Sequence, residues 1–444
     1  MKTPTGQHAG GAQAPLLPEY ELAEPSEGSA SVSGAVFNLS TSIIGAGIMS
    51  IPATLKVLGV GPAVVLILSV ALLCDVSVEF LLRYTNSGKV MSYAGIMAES
   101  FGKAGATALQ LCVILTNLGA LIMYLIIIGD VLSGNQSEGA GHLGVLQEWF
   151  GDQWWNSRPA ALLFTLVFVL LPLLLFRRVD SLRFSSAVSV FLAVVFVAIS
   201  STMALYALYR GTTRTPRVLP DFGSGTSFFE LFTAVPVIVL AFTFHFNVHP
   251  IRAELQKSSD MTKAVRLSLI LCSVIYATVG LSGYLLFGDA TMADILSNFD
   301  RTSGSDVPSL VNNLVRLSYG LHLVLVYPLL NFSLRINVDG LFFPRSRPLP
   351  YDDTRFVSLT LGLAAFVYLA AIGIPNIWTL FQFFGSTTAV CLSLIFPASI
   401  VLRDIHGIAR RQDKVVAATM ISLAVATSAV AISSNVISFF NSRA

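Results

Sequence analysis

The segment VFNLSTSIIGAGIMSIP, residues 36–52, places helix-breaking residues inside a run apolar enough to enter a bilayer. Gly45, Ala46 and Gly47 stand in its middle, and Pro52 closes it. Glycine costs up to about 1 kcal/mol against alanine in a helix, so the run reads as a helix that unwinds around Ile44, Gly45, Ala46 and Gly47. Irregular backbone at membrane depth survives only where protein or a cavity surrounds it. An unwound point frees N–H groups at one half-helix N-terminus, which suit a carboxylate. It also frees C=O groups, which suit an ammonium or a small cation. A zwitterionic amino acid meets both needs. The same small residues also fit a second reading, a close helix–helix contact.

Other residues could join that chemistry. Thr41 and Ser42 offer hydroxyls one turn before the break, or bond back to their own helix carbonyls. A second irregular run, FFELFTAVPVIVLAFTFHFNVHPIRAEL, starts at Phe228 and carries Pro236 and Pro250 with His245 between them. In it Phe242, Thr243 and Phe244 could wall a side-chain pocket, or simply pack. Asn117 and Tyr124 are seven residues apart and share a helix face. Tyr124 could hydrogen-bond a substrate carboxylate or a neighbouring helix.

His245 lies deep in its run, and an ordinary imidazole pKa near 6.5 suits a proton carrier. A satisfied structural histidine is the alternative. Asp75, Glu79 and Arg83 form an i, i+4, i+8 ladder, read as a gate or as a solvated helix end. Asp130 and Arg316 could pair with each other as a gate at the opposite face. His249 and His322 read as interfacial or packing residues. His245 and His249 are four apart, but no third ligand stands beside them. Neither a metal site nor an enzyme is therefore expected, and no cofactor.

These residues need elements to hold them. The chain has 444 residues, 54% hydrophobic and 12% charged, with a mean hydropathy of +0.73. Soluble domains carry about 25% charged residues, so the composition is that of a polytopic helical membrane protein with the bilayer as partner. Eleven spans are expected, at roughly 35–57, 60–83, 104–131, 159–176, 183–209, 228–249, 265–287, 308–333, 355–374, 376–402 and 415–440. The stretch 92–102 reads as a short helix along one membrane face, and Trp149, Trp154 and Trp155 as an interfacial belt. Alternate loops hold eighteen of the 27 basic residues, Arg335 among them, against seven in the other set. By the positive-inside rule the N-terminus is cytosolic. Residues 1–33 have the composition of a disordered tail. The net charge of +2 implies no nucleic-acid partner. Cys74, Cys112, Cys272 and Cys391 fall in apolar runs and read as buried thiols.

The first and sixth spans run in opposite directions, as in an inverted repeat with its site between paired broken helices. Here the residues carry a likeness. VFNLSTSIIGAGIMSIP resembles the first span of the amino acid/auxin permease family, nearest the branch of sodium-coupled neutral and plant vacuolar amino acid transporters. NLGALIMYLIIIGD, AFTFHFNVHPIRAEL, SGYLLFGD and LVRLSYG agree in order, so the likeness covers about 34–440.

The resemblance implies an all-α fold of eleven transmembrane helices, a LeuT-type 5+5 inverted repeat plus one C-terminal helix. The repeats would span about 34–210 and 225–403, with the extra helix at about 415–440. It implies secondary transport of small neutral amino acids, and a site within one chain makes a monomer the expectation. Sodium-coupled relatives have Asn at the position of Thr41, and threonines near Val324 and Val326. Valine offers no oxygen to Na⁺, so H⁺ is the expected coupling ion, with Na⁺ the alternative. An acidic-lumen membrane such as the vacuole is expected, with net movement toward the cytosol. A plasma-membrane sodium symporter, the endoplasmic reticulum, or an amino acid sensor on the same scaffold are the competing expectations.

Overall fold

The computed structural model describes residues 31–88, 90–134, 143–176, 183–221, 228–299, 309–344, 346–374 and 377–441. The tail before Ser31 lies outside them. Regular structure among the described residues is helical.

Ser31 opens the first helix by accepting the Gly34 N–H at 3.2 Å. That helix, α1, runs Val32–Ile43 and α2 runs Gly47–Leu58, with a 62° bend between them. Next come α3 (Val60–Ser87) and α4 (Tyr93–Ser133). Gly102 interrupts α4 with φ +66°, a left-handed conformation that side chains disfavour. The stretch expected along the membrane face is thus a distinct segment before the span. Short α5 (Val145–Phe150) precedes α6 (Arg158–Leu174) and α7 (Arg183–Arg210).

The second half opens with α8 (Ala234–Ala241) and α9 (His245–Glu254), then α10 (Met261–Phe287) and one-turn α11 (Ile295–Asn298). The last elements are α12 (Ser309–Phe342), α13 (Asp353–Gly373), α14 (Ile377–Arg403) and α15 (Arg411–Asn441). Two π-helical turns, Gly385–Ala389 and Cys391–Ile395, widen α14.

Among the described residues, eight of these helices and the α8–α9 run are each long and apolar enough to cross a membrane, nine in all, or ten with the bent α1–α2 pair as one span. α6 is shorter. The separation of α13 from α14 falls at 375–376, outside the described residues. The eighth expected span is longer than 308–333 because α12 continues to Phe342. Arg335, counted as a loop cation from sequence, is therefore a buried helical residue that donates to the Leu174 carbonyl at 3.0 Å and the Thr360 hydroxyl at 2.7 Å.

Packing follows polarity. α12 lies against α4 and α7, and α10 against α1, α2, α3 and α7. Outward faces carry exposed large apolar residues, among them Leu68, Leu72, Phe191, Ile270, Val274 and Phe366. Such a belt is an unstable surface in water and a matched one in lipid. Trp149, Trp154 and Trp155 are exposed at one end of the bundle, as an interfacial role requires.

Candidate functional site

The break between α1 and α2 falls at the glycines singled out from sequence. Ile44 is extended, at φ −75° and ψ +102°, and caps α1. Neither Gly45 nor Gly47 adopts positive φ. What each needs is room. A Cβ on Gly45 would stand 2.5 Å from the Tyr124 hydroxyl, and one on Gly47 would stand 2.8 Å from the Ala241 Cα. Both readings of these residues therefore hold together: the helix breaks, and its small residues allow close approach.

A second break separates α8 from α9. Phe242 sits at φ −99°, ψ +15° and Phe244 at φ −130°, ψ +3°. Both lie in or near the bridge region, open to any side chain, so this break needs no glycine. Phe242 and Phe244 are fully buried, and the Phe242 ring meets Tyr276 edge-on at 5.0 Å. The Thr243 hydroxyl lies 2.8 Å from the Val239 carbonyl and 3.0 Å from the Ser393 hydroxyl.

Three phenols bond the first break, and one of them also joins it to the second. Tyr276 of α10 donates to the Ile43 carbonyl at 2.7 Å and reaches the Ala241 carbonyl at 2.9 Å. Tyr319 of α12 donates to the Gly45 carbonyl at 2.7 Å. The Tyr124 hydroxyl is hydrogen-bonded by the Ala46 backbone. Sequence reasoning named Tyr124 and missed the other two. Their signal was present: a buried tyrosine in an apolar span must find a partner.

The remaining candidates divide. The Thr41 and Ser42 hydroxyls turn back to the Phe37 and Asn38 carbonyls, both at 2.9 Å. Asn117 donates to Ser333 of α12 at 3.1 Å, so it faces a helix contact while Tyr124 faces the break. His245 Nε2 is 2.6 Å from the Ser77 hydroxyl. His249, read as interfacial or packing, is buried and lies 2.8 Å from the Thr85 hydroxyl. His322 is fully buried between α12 and α7, its Nδ1 2.7 Å from the Ser189 carbonyl.

The charged candidates sit at the two ends. Arg266 of α10 reaches Asp75 at 3.2 Å and Glu79 at 3.1 Å. Arg83 lies 3.9 Å from Glu79 and pairs more closely, at 2.9 Å, with Asp413 of α15. At the other end Asp130 pairs with Arg158. Buried Arg316 binds Glu148 at 3.0 Å and the Leu143 carbonyl at 2.6 Å. The α14–α15 turn is held by Asp404, which accepts from Tyr84 at 2.7 Å and pairs with Lys414 at 3.0 Å. Desolvation pushes this carboxyl up, but the bonds from Tyr84, Lys414 and the Ala409 N–H prevail and hold it at about 2.

Among the described residues, no group of three His, Cys, Asp or Glu side chains could hold a metal ion. What the geometry does hold is main-chain groups of both signs, released from helical bonding and bonded instead by tyrosine hydroxyls, at the meeting of two broken helices. That defines a multi-pass membrane protein of the transporter class. The family profile described as transmembrane amino acid transporter protein matches residues 28–439, and the chain belongs to that family. It is 56% identical to amino acid transporter AVT6C of Arabidopsis thaliana over 95% of this chain and 97% of the relative. It is 53% identical to AVT6D of the same plant over 96% and 98%. Sodium-coupled neutral amino acid symporter 2 of Danio rerio is 25% identical over 90% and 81%. A solved manganese transporter mutant of Eremococcus coleocola superposes with a TM-score of 0.58 at 13% identity, covering 92% of this chain and 87% of that one. That likeness speaks for the fold alone. Proteins of this family carry amino acids across membranes and are not enzymes.

Proposed function

We propose that the chain is a secondary transporter of small neutral amino acids, working by alternating access around the two breaks. The observation that carries this reading is the tyrosine-bridged meeting of the breaks. Tyr276 and Tyr319 donate to the carbonyls of Ile43, Ala241 and Gly45, as a substrate ammonium would. Tyr124 accepts at the Ala46 backbone, where a carboxylate could accept. Displacing weak neutral bonds by charge-assisted ones favours the zwitterion. Gly45, Ala46, Gly47 and the segment Phe242, Thr243, Phe244 carry no carboxylate, which suits a neutral side chain over a cationic one.

Counting α1–α2 as one span and adding α6 gives eleven, and α1–α2 and α8–α9 take matching places in a 5+5 inverted repeat with α15 outside it. The basic end near Arg83 and Arg266 is cytosolic in this reading, and the N-terminus with it. The coupling ion is H⁺: Val324 and Val326 offer methyl groups, and the Thr41 hydroxyl is committed to the Phe37 carbonyl. Movement runs from an acidic lumen, such as a vacuole, to the cytosol. The site lies within one chain, so the working unit is a monomer.

The test is uptake of labelled alanine or glutamine by proteoliposomes holding the purified chain, under an imposed proton or sodium gradient. Accumulation with the proton gradient alone is the expected result. Accumulation that requires sodium would replace H⁺ by Na⁺, and no uptake under either gradient would overturn the transport reading.

A further inference from the structure

Several buried side chains are used by neither break. The most constrained is His322 of α12, which is fully buried. Its Nδ1 is 2.7 Å from the Ser189 carbonyl oxygen of α7. A carbonyl only accepts, so Nδ1 carries the hydrogen. In the neutral ring Nε2 is then a bare lone pair. Nε2 is buried without a hydrogen-bond partner. The ring centroid lies 4.7 Å from that of Tyr319, whose hydroxyl bonds the Gly45 carbonyl, so the imidazole sits beside the end of α1. The Ile44 backbone is the main-chain group of that end acting on the ring.

We propose that His322 is the proton-coupling residue, taking up H⁺ at Nε2 and donating it to the Ile44 carbonyl. This rests on the transport reading above. The protonated ring would bond α7 through Ser189 and α1 through Ile44 at the same time. It would sit at the C-terminal end of α1, whose partial negative charge favours a cation. His245 has the opposite placement. It is the first residue of α9, at a helix N-terminus, where the dipole is positive. The proton comes from water on the acidic side and returns to water on the other; no other bond forms or breaks.

The titratable groups of this region are Tyr319 of the same helix, Tyr124 of α4 and Tyr276 of α10, with Asp294 acting on Tyr319. α7 presents the Ser189 carbonyl here and the Phe196 ring against Tyr319. α6 and α13 bond α12 further along, at Arg335. Arg316, on the same helix, is turned to Glu148. A proton on Nε2 therefore meets carbonyl oxygens and phenols. When α1 moves relative to α12, the Ile44 carbonyl leaves the ring and the proton loses its acceptor. Release is thereby tied to movement of the broken helix that holds substrate.

The experiment compares the full chain with His322→Gln, whose amide can hydrogen-bond but not titrate. At one proton per alanine, a gradient of one pH unit supports an accumulation of about tenfold. Wild type should approach this, and H322Q should reach no more than the equal-concentration limit. A pH-sensitive dye should show protons moving with alanine in wild type and none in H322Q. H322Q that accumulates alanine as wild type does would overturn the proposal. So would wild type that moves alanine with no protons. Wild type that moves no alanine at all would instead remove the transport reading beneath it. If H322Q transports nothing, alanine binding in detergent decides, followed by tryptophan fluorescence between pH 5 and 8. Flat affinity in H322Q beside pH-dependent affinity in wild type supports the role. Equal pH dependence in both, or no pH dependence in wild type, overturns it.

Discussion

Tyr276 closes the C-terminal ends of two half-helices with one hydroxyl, 2.7 Å from the carbonyl of Ile43 and 2.9 Å from that of Ala241. Tyr276→Phe keeps the ring against Phe242 and removes this bridge. Leaving buried acceptors unsatisfied costs about 1–3 kcal/mol. The expected outcome is a lower melting temperature and alanine uptake reduced at least about tenfold. Unchanged uptake would show that the bridge is dispensable for transport.

The two glycines should respond differently to rescue. The obstacle to Gly45→Ala is the Tyr124 hydroxyl at 2.5 Å, with the next ring atom at an ordinary 3.5 Å. Gly45→Ala should therefore abolish uptake, and adding Tyr124→Phe should restore part of it. Gly47→Ala meets the Ala241 Cβ at 2.7 Å and its Cα at 2.8 Å. Adding Ala241→Gly removes the first and leaves the second in place, so no rescue is expected. A double-mutant cycle on uptake rates measures both couplings.

How much of this was legible beforehand differs by element. The spans were, because lipid demands long apolar helices. The α1–α2 break was, because Gly45 and Gly47 are costly in a helix interior. The α8–α9 break was only half visible, since its negative φ values need no glycine to mark it. Tyr276, Tyr319 and His322 went unassigned because each is a single polar residue whose partner lies on another helix. Spacing within a helix can group Asn117 with Tyr124, yet it cannot say that one meets Ser333 and the other Ala46. Arg335 was misplaced because a cation near a span end looks like a loop residue until Leu174 and Thr360 supply its partners.

Asp404 should set stability without setting the transport pH response. Its folded-state pKa of about 2 lies below the ordinary 3.8. Its contribution is present in full above the ordinary value and is lost only as pH falls through about 2. Asp404→Asn tolerates the left-handed backbone at φ +46° but removes the charge that holds Lys414. A lower melting temperature than wild type is expected, with the same gap at pH 7 and pH 5. A gap that closes by pH 5 would contradict this account.

The ion pairs at the two ends should differ in weight. Arg316 is about 1% exposed at its side chain, and Glu148→Gln leaves that guanidinium without its carboxylate. Arg266 is 54% exposed, and its pairs are screened by solvent. Glu148→Gln should cost about 1–3 kcal/mol and Arg266→Gln no more than about 1 kcal/mol. Thermal unfolding at low and high salt separates them, with salt altering only the Arg266 effect.

The π turns of α14 carry a consequence for how its residues are counted. Positions five apart on an α-helix point about 140° away from each other, whereas i to i+5 bonding turns them toward a common side. Thr388 and Ser393 are such a pair, one bonded to Thr116 of α4 at 2.7 Å and the other to Thr243 between the half-helices at 3.0 Å. The helix works like a vernier, its coarser pitch lining up two hydroxyls that ordinary pitch would scatter. Removing one residue between them would look like a harmless gap in an alignment of apolar segments, yet it would rotate one of the two out of reach.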